Sequence, residues 1–164
     1  MTVRVVRLGT PRAADEGLRI GTVRRPPRGV PKAAFASGNW YDVWYPNLAP
    51  SVETMKLAQG AESPAEWAAF GRKYRAEMAT PENARTLDLL AALSQRADFS
   101  VGCYCADESH CHRSILRALL RERGASLAES ARGAAAVADD AGLAQPIREA
   151  LAERAETLPA KTAH

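Results

Sequence analysis

The chain contains no run of about 18 apolar residues, which argues against a membrane-spanning helix. Its opening residues, Met1-Thr2-Val3-Arg4-Val5-Val6-Arg7, lack the long apolar core of a signal peptide. A cytoplasmic location with no membrane partner is therefore expected. Cysteine is scarce and odd in number, three in 164 residues. That argues against a disulfide framework and directs attention to metal binding or thiol chemistry. Neither sign of charge dominates: 22 Lys and Arg against 19 Asp and Glu leave a net +3. So mild a balance indicates a nucleic-acid partner only if the positive residues form a patch. Gly-x-Gly-x-x-Gly, Walker, Gly-x-Ser-x-Gly and His-Glu-x-x-His signatures are all missing, and with them the reactions they carry.

What is present reads as one ordinary domain, since this length supports a single core and not two large ones. Val3 to Leu8 is a β-branched run closed by Gly9, Thr10 and Pro11, the pattern of a strand. Leu18 to Val23 reads as a second strand, Trp40 to Tyr45 as a short third, and Asp98 to Tyr104 as another. Ser63-Pro64-Ala65-Glu66 supplies an N-cap Ser, a Pro at the first helical position and a Glu at the third, so a helix begins there. Trp67, Phe70, Tyr74 and Met78 then form one apolar stripe. Thr80-Pro81 opens another helix, with Leu87, Leu90 and Leu93 or Ser94 inward. A last clear helix runs from about His112 to Arg123, with Ile115, Leu116, Leu119 and Leu120 inward and Gly124 as its left-handed stop. Strands alternating with helices predict an α/β fold, a mostly parallel sheet flanked by helices over residues 1–126. Residues 127–164, rich in Ala, Glu and Arg, read as a C-terminal helical appendage that packs on the domain, pairs with a second copy in a homodimer or stays mobile.

All three cysteines and two of the three histidines fall between Cys103 and His112, followed at once by Arg113 and Ser114. The cluster lies where a strand ends and a helix begins. A helix N-terminus has unpaired N–H groups and a partial positive charge, and it favours anions and thiolates. Cys111 is thus a candidate nucleophile, His112 a candidate general acid or base, and Arg113 a candidate fork for phosphate or carboxylate. A metal reading uses the same segment: Cys103 and Cys105 share one face of a strand, and Cys111 with His110 or His112 would complete a tetrahedral set for zinc or, less readily, iron. The zinc spacing is imperfect, because one residue separates the paired cysteines instead of two. Cys103 and Cys105 also read as plain core residues. Cys111 and Arg117 have phosphatase-loop spacing, but the five residues between them carry no glycine and read as helix.

Arg24-Arg25-Pro26-Pro27-Arg28-Gly29 is a proline-stiffened basic turn suited to phosphate. Trp40, Tyr41, Trp44 and Tyr45 offer either core packing or a platform for a base.

Four pieces in this order resemble the DUF488 family of YeaO-like proteins: Arg24-x-x-Pro27-Arg28-Gly29; Trp44 through Leu48-Ala49-Pro50-Ser51; Phe70-x-x-x-Tyr74-x-x-Glu77; and Cys111-His112-Arg113-Ser114. The resemblance spans about residues 3 to 124. It implies a compact α/β fold and a shared pocket from the Arg24–Gly29 turn, Pro50-Ser51 and the Cys111–Arg113 turn. It assigns no reaction. Val23 stands where many relatives carry Asp, and Pro26 where many carry Trp. Some relatives lack the cysteines and keep a histidine at the position of His112.

The resulting expectation is an anionic small-molecule ligand, phosphate- or nucleotide-like. Arg24, Arg28, Arg113, Ser51 and Trp44 would bind it, with His112 and Cys111 as the reacting groups. The alternatives are a zinc or iron module through Cys103, Cys105, Cys111 and His110, and a non-catalytic nucleic-acid or protein interaction domain.

Overall fold

In the computed structural model, which describes residues 1–129, four strands form one sheet in the order β1-β4-β2-β3: Val3–Arg7 (β1), Leu18–Gly21 (β2), Val43–Trp44 (β3) and Phe99–Cys103 (β4). Every pairing is parallel, so the α/β expectation holds. β4 lies between β1 and β2 and is buried along its whole length. A strand covered on both faces has no polar side to show, hence the run Phe-Ser-Val-Gly-Cys without a charge.

Alternate residues of β4 point to opposite faces. Phe99 and Val101 join Val3 and Val5 of β1 in the main core. They meet Phe70, Tyr74 and Met78 of α2 (Pro64–Met78), Leu87 and Leu90 of α3 (Pro81–Leu93), and Leu116, Leu119 and Leu120 of α4 (His112–Glu122). Ser100 points the other way, donating to Glu16 Oε1 at 2.7 Å. Glu16 is clamped by Arg19, whose Nε and Nη2 reach its two oxygens at 2.5 and 2.8 Å. Arg19 Nη1 also serves the carbonyls of Thr10 and Asn39. This guanidinium is 0% exposed, a cost that only a paired, fully bonded charge offsets.

The local signals act as their chemistry requires. Ser63 and Glu66 form the reciprocal capping box of α2. The Trp67 stripe buries Phe70, Tyr74 and Met78, with Trp67 at its edge. Leu87 and Leu90 turn inward on α3 together with Ser94, while Leu93 stays exposed. Gly124 takes φ 75° after α4, a conformation free of penalty only for glycine. One helix escapes the sequence reading, α1 (Val52–Gly60), capped by Ser51, which accepts from the Thr54 amide.

Met1–Ala128 form one compact unit. Beyond α4 the chain returns along β1, where Val3 N–H donates to Ser126 O and Ala128 N–H to Val3 O. Apart from its first three residues, the expected appendage at 127–164 lies outside the described residues. No helix among the described residues is long and apolar enough to cross a membrane.

Candidate functional site

Because all four strands run parallel, their carboxyl ends share one edge of the sheet, where ligands bind in folds of this kind. The ends of β2 and β4 are neighbours: Gly21 pairs with Gly102, and Thr22 N–H and Oγ1 both donate to Gly102 O. The basic turn therefore leaves the sheet beside the cysteine loop. Two hydrogen bonds join them. Tyr104 OH donates to Arg25 O at 2.9 Å, and His112 Nε2 lies 2.9 Å from Thr22 O.

Gly102 matters to this junction. A Cβ there would lie 2.7 Å from Leu8 Cδ2 and 2.8 Å from Val6 O. The absence of a side chain lets the loop after β1 close over β4.

Cys103 ends β4, and period two brings Cys105 to the same side, with the sulfurs 3.6 Å apart. The loop then turns tightly. Asp107 accepts from the amide and hydroxyl of Ser109, which draw its carboxyl down to about 2. Cys111 N–H reaches Glu108 O. Cys111 is the N-cap of α4, and no side chain caps that helix. Cys111 Sγ lies 3.8 Å from His112 Nδ1. Cys103, Cys111 and His112, all buried, each offer one donor atom, and these atoms lie within 4.8 Å of one another.

The three thiols share protons. Cys103 is pushed far up, because its S–H is given to Cys105 and Cys111 and it is buried. Cys105 is held down at about 3 by hydrogen bonds from Cys103 and Cys111 and by the Arg113 charge. Cys111 is also lowered, through Cys103 first. Cys105 is the one exposed cysteine.

His112 is 6% exposed, with its ring edge against Tyr74 at 5.5 Å. A carbonyl only accepts, so its bond to Thr22 O puts a proton on Nε2 and turns Nδ1 toward Cys111. Tyr74 in turn donates its buried hydroxyl to Leu48 O at 2.7 Å. Arg113 is 3% exposed and donates from Nη2 to Cys105 O at 2.7 Å, and its Nε has no hydrogen-bond partner among the described residues.

The structure places the other anticipated residues differently. Arg24 spends its guanidinium on Pro50 O and Ala49 O at 3.0–3.1 Å, because the chain after β3 passes beneath it. Ser51 caps α1 and donates to Glu77 Oε1 at 2.5 Å. Both are thus engaged in holding the Pro50–Ser51 corner. Arg28 is exposed and carries no bond among the described residues. His110 does not join the sulfurs. It sits exposed on the loop, paired with Asp107 at 3.3 Å and tilted against the Trp67 ring at 5.3 Å. The metal-capable set therefore takes His112 in its place, since the helix start turns residue 112 inward and leaves residue 110 outside.

Tyr41, with Trp40 at its edge, packs against Leu8, Val23, Cys103 and Cys111 in a second apolar cluster. Trp44 is 44% exposed, its Nε1–H on Val23 O at 2.8 Å. Arg117 is bound to Glu108 at 2.6 Å from within α4, so the phosphatase-like spacing after Cys111 forms no loop.

The sequence reading overlooked Cys105 as the exposed thiol and Arg19 as the hub of the opposite face. The first was legible only as a strand end. The second was visible as a lone charge in an apolar run, Leu18-Arg19-Ile20.

No curated protein and no solved structure gives a significant match. Residues 3–124 match the family model DUF488-N3a, described as the active DUF488-N3 subclade. The parallel sheet, the basic turn and the cysteine–histidine–arginine loop all fall within this stretch, and the chain belongs to the DUF488 family.

Proposed function

We propose that the protein binds an anionic small molecule, phosphate- or nucleotide-like, at the carboxyl edge of β2 and β4 and acts on it there. The observation that carries this reading is the junction of the two turns. Segments some eighty residues apart are stitched together by Tyr104 on Arg25 O and His112 on Thr22 O, so the Arg24–Gly29 turn and the Cys105–Arg113 loop form one continuous edge. Arg24 and Arg113 shape that edge through carbonyl hydrogen bonds. The exposed arginines, Arg25 and Arg28, are left to meet the anion. A guanidinium fork suits phosphate or carboxylate. Prolines 26 and 27 limit the entropy the turn loses on binding. Cys105 is the thiol that a molecule arriving from solvent meets first, and Cys111 and His112 lie directly behind it. The description of the family model as an active subclade favours catalysis over binding alone.

Thermal melting with inorganic phosphate, adenosine monophosphate and neutral adenosine tests the reading. Both anions raise the melting temperature and adenosine does not. A ligand at about one hundred times its Kd adds about 2.7 kcal/mol. Arg28→Ser weakens the shift without lowering the melting point of the free protein, since the side chain is exposed. Indifference to both anions would overturn the proposal.

A further inference from the structure

We infer that Cys103, Cys105, Cys111 and His112 form a binding site for a single zinc ion that clips the end of β4 to the start of α4. The inference goes beyond the anion reading and does not depend on it; with zinc bound these four side chains serve as ligands, and the anion is met by the exposed Arg25 and Arg28 of the neighbouring turn.

The spacing of the donors carries the argument. With Zn–S near 2.3 Å and Zn–N near 2.0–2.1 Å, the edges of a regular tetrahedron come to about 3.8 Å for sulfur to sulfur and about 3.6 Å for sulfur to nitrogen. The chain places Cys103 Sγ 3.6 Å from Cys105 Sγ, and Cys111 Sγ 3.8 Å from His112 Nδ1. The donor atoms of Cys103, Cys111 and His112 all lie within 4.8 Å of one another. Cys105 Sγ, next to Cys103 Sγ, is the fourth donor of the proposed set.

The histidine is already prepared. Metal-bound imidazoles usually donate their other N–H to a carbonyl or carboxylate, which fixes the tautomer and the ring. Here Thr22 O takes the Nε2 proton, and Nδ1 is the nitrogen that faces Cys111.

Charge gives an independent argument. Three thiolates and a neutral imidazole around a divalent ion leave one negative charge. Beside Cys105 sits Arg113, a buried cation with no carboxylate partner among the described residues. Its bonds are one to the Cys105 carbonyl and none at Nε. Buried cations need a counter-charge, and the metal–thiolate group supplies it. Asp107, Glu108 and His110 belong to the outside of the same loop, where Glu108 is held by Arg117 and His110 by Asp107. They add no competing oxygen ligand to the cluster. Thiolate-rich donor sets favour zinc over the harder divalent ions.

The test uses the full chain, purified without a histidine tag or chelator and under reducing conditions. Elemental analysis finds about one zinc per chain. Replacing it with Co²⁺ gives the visible bands of a tetrahedral site together with sulfur-to-cobalt charge transfer. Cys105→Ser, a change at an exposed position, keeps the tetrahedral bands and loses about one third of the charge-transfer intensity, as two thiolates replace three. His112→Gln reduces zinc to a small fraction of one per chain. His110→Gln leaves the content unchanged, which separates this donor set from one built on His110. Should His112→Gln fail to fold, the Cys105→Ser and His110→Gln spectra still decide. Trace zinc in the purified chain, with no tetrahedral cobalt spectrum on titration, would overturn the inference.

Discussion

Replacing Glu77 separates the corner that carries the basic turn from the helices behind it. Its carboxylate receives the Ser51 amide at 3.0 Å and the hydroxyls of Ser51 and Thr54 at 2.5 Å each. It lies at the start of α1, where a negative charge also meets the helix dipole. Hydrogen bonds to a charged acceptor contribute about 1.5–3 kcal/mol each. Glu77 is partly exposed, and water re-pairs much of what is lost. About 2–3 kcal/mol in total is therefore expected for Glu77→Ala, and about 1 kcal/mol for Glu77→Gln, which keeps one acceptor. Burial alone would raise this carboxyl above its usual 4.5, but the Ser51 and Thr54 hydroxyls, the Ser51 amide and Arg24 outweigh it and hold it lower. The sign follows: the ionised group stabilises the fold above the unfolded value of 4.5 and loses that contribution as pH falls through the lower folded value. Urea unfolding at pH 7 and again below pH 4 measures it, with the midpoint moving at constant m. The gap between the parent chain and Glu77→Gln narrows in acid. A gap that stays the same at both pH values, or an alanine cost under about 0.5 kcal/mol, would refute the account.

Further expectations concern the opposite face, the strand junction and the exposed thiol. Arg19→Met strands a buried Glu16 and costs about 3–5 kcal/mol in urea unfolding. Glu16→Leu/Arg19→Met costs less, and a double variant weaker than the single one would contradict the pairing. Gly102→Ala forces a methyl against Val6 O and Leu8, and destabilises by about 1–3 kcal/mol. A melting point equal to the parent's would show that the loop after β1 is not packed there. Iodoacetamide on the native, metal-free chain labels Cys105 well before Cys103 and Cys111, which are 7% and 2% exposed. Peptide mass spectrometry reads the order, and equal labelling would place the buried pair in reach of solvent.

Local chemistry wrote much of the fold in advance. Ser63, Pro64 and Glu66 announce α2 because capping is decided within four residues, and Gly124 ends α4 because few other residues accept its φ. α1 went unread because its cap, Ser51, is followed by Thr54 in place of a reciprocating Glu. The acid that completes the arrangement is Glu77, 26 residues away. The same distance hid the work of Arg24 and Ser51. Each has a side chain suited to an anion, and each is engaged by a carbonyl or carboxylate from another segment.

The amino-acid sequence by itself determined the α/β class, the boundaries of α2, α3 and α4 and the crowding of thiol and imidazole groups into ten residues, since periodicity, caps and spacing are properties of neighbours along the chain. The tertiary structure alone decided which histidine faces the sulfurs, which cysteine faces water and which arginines of the basic turn stay exposed. Those outcomes depend on hydrogen bonds between residues such as Thr22 and His112, ninety positions apart, which only the parallel pairing of β2 with β4 brings within reach.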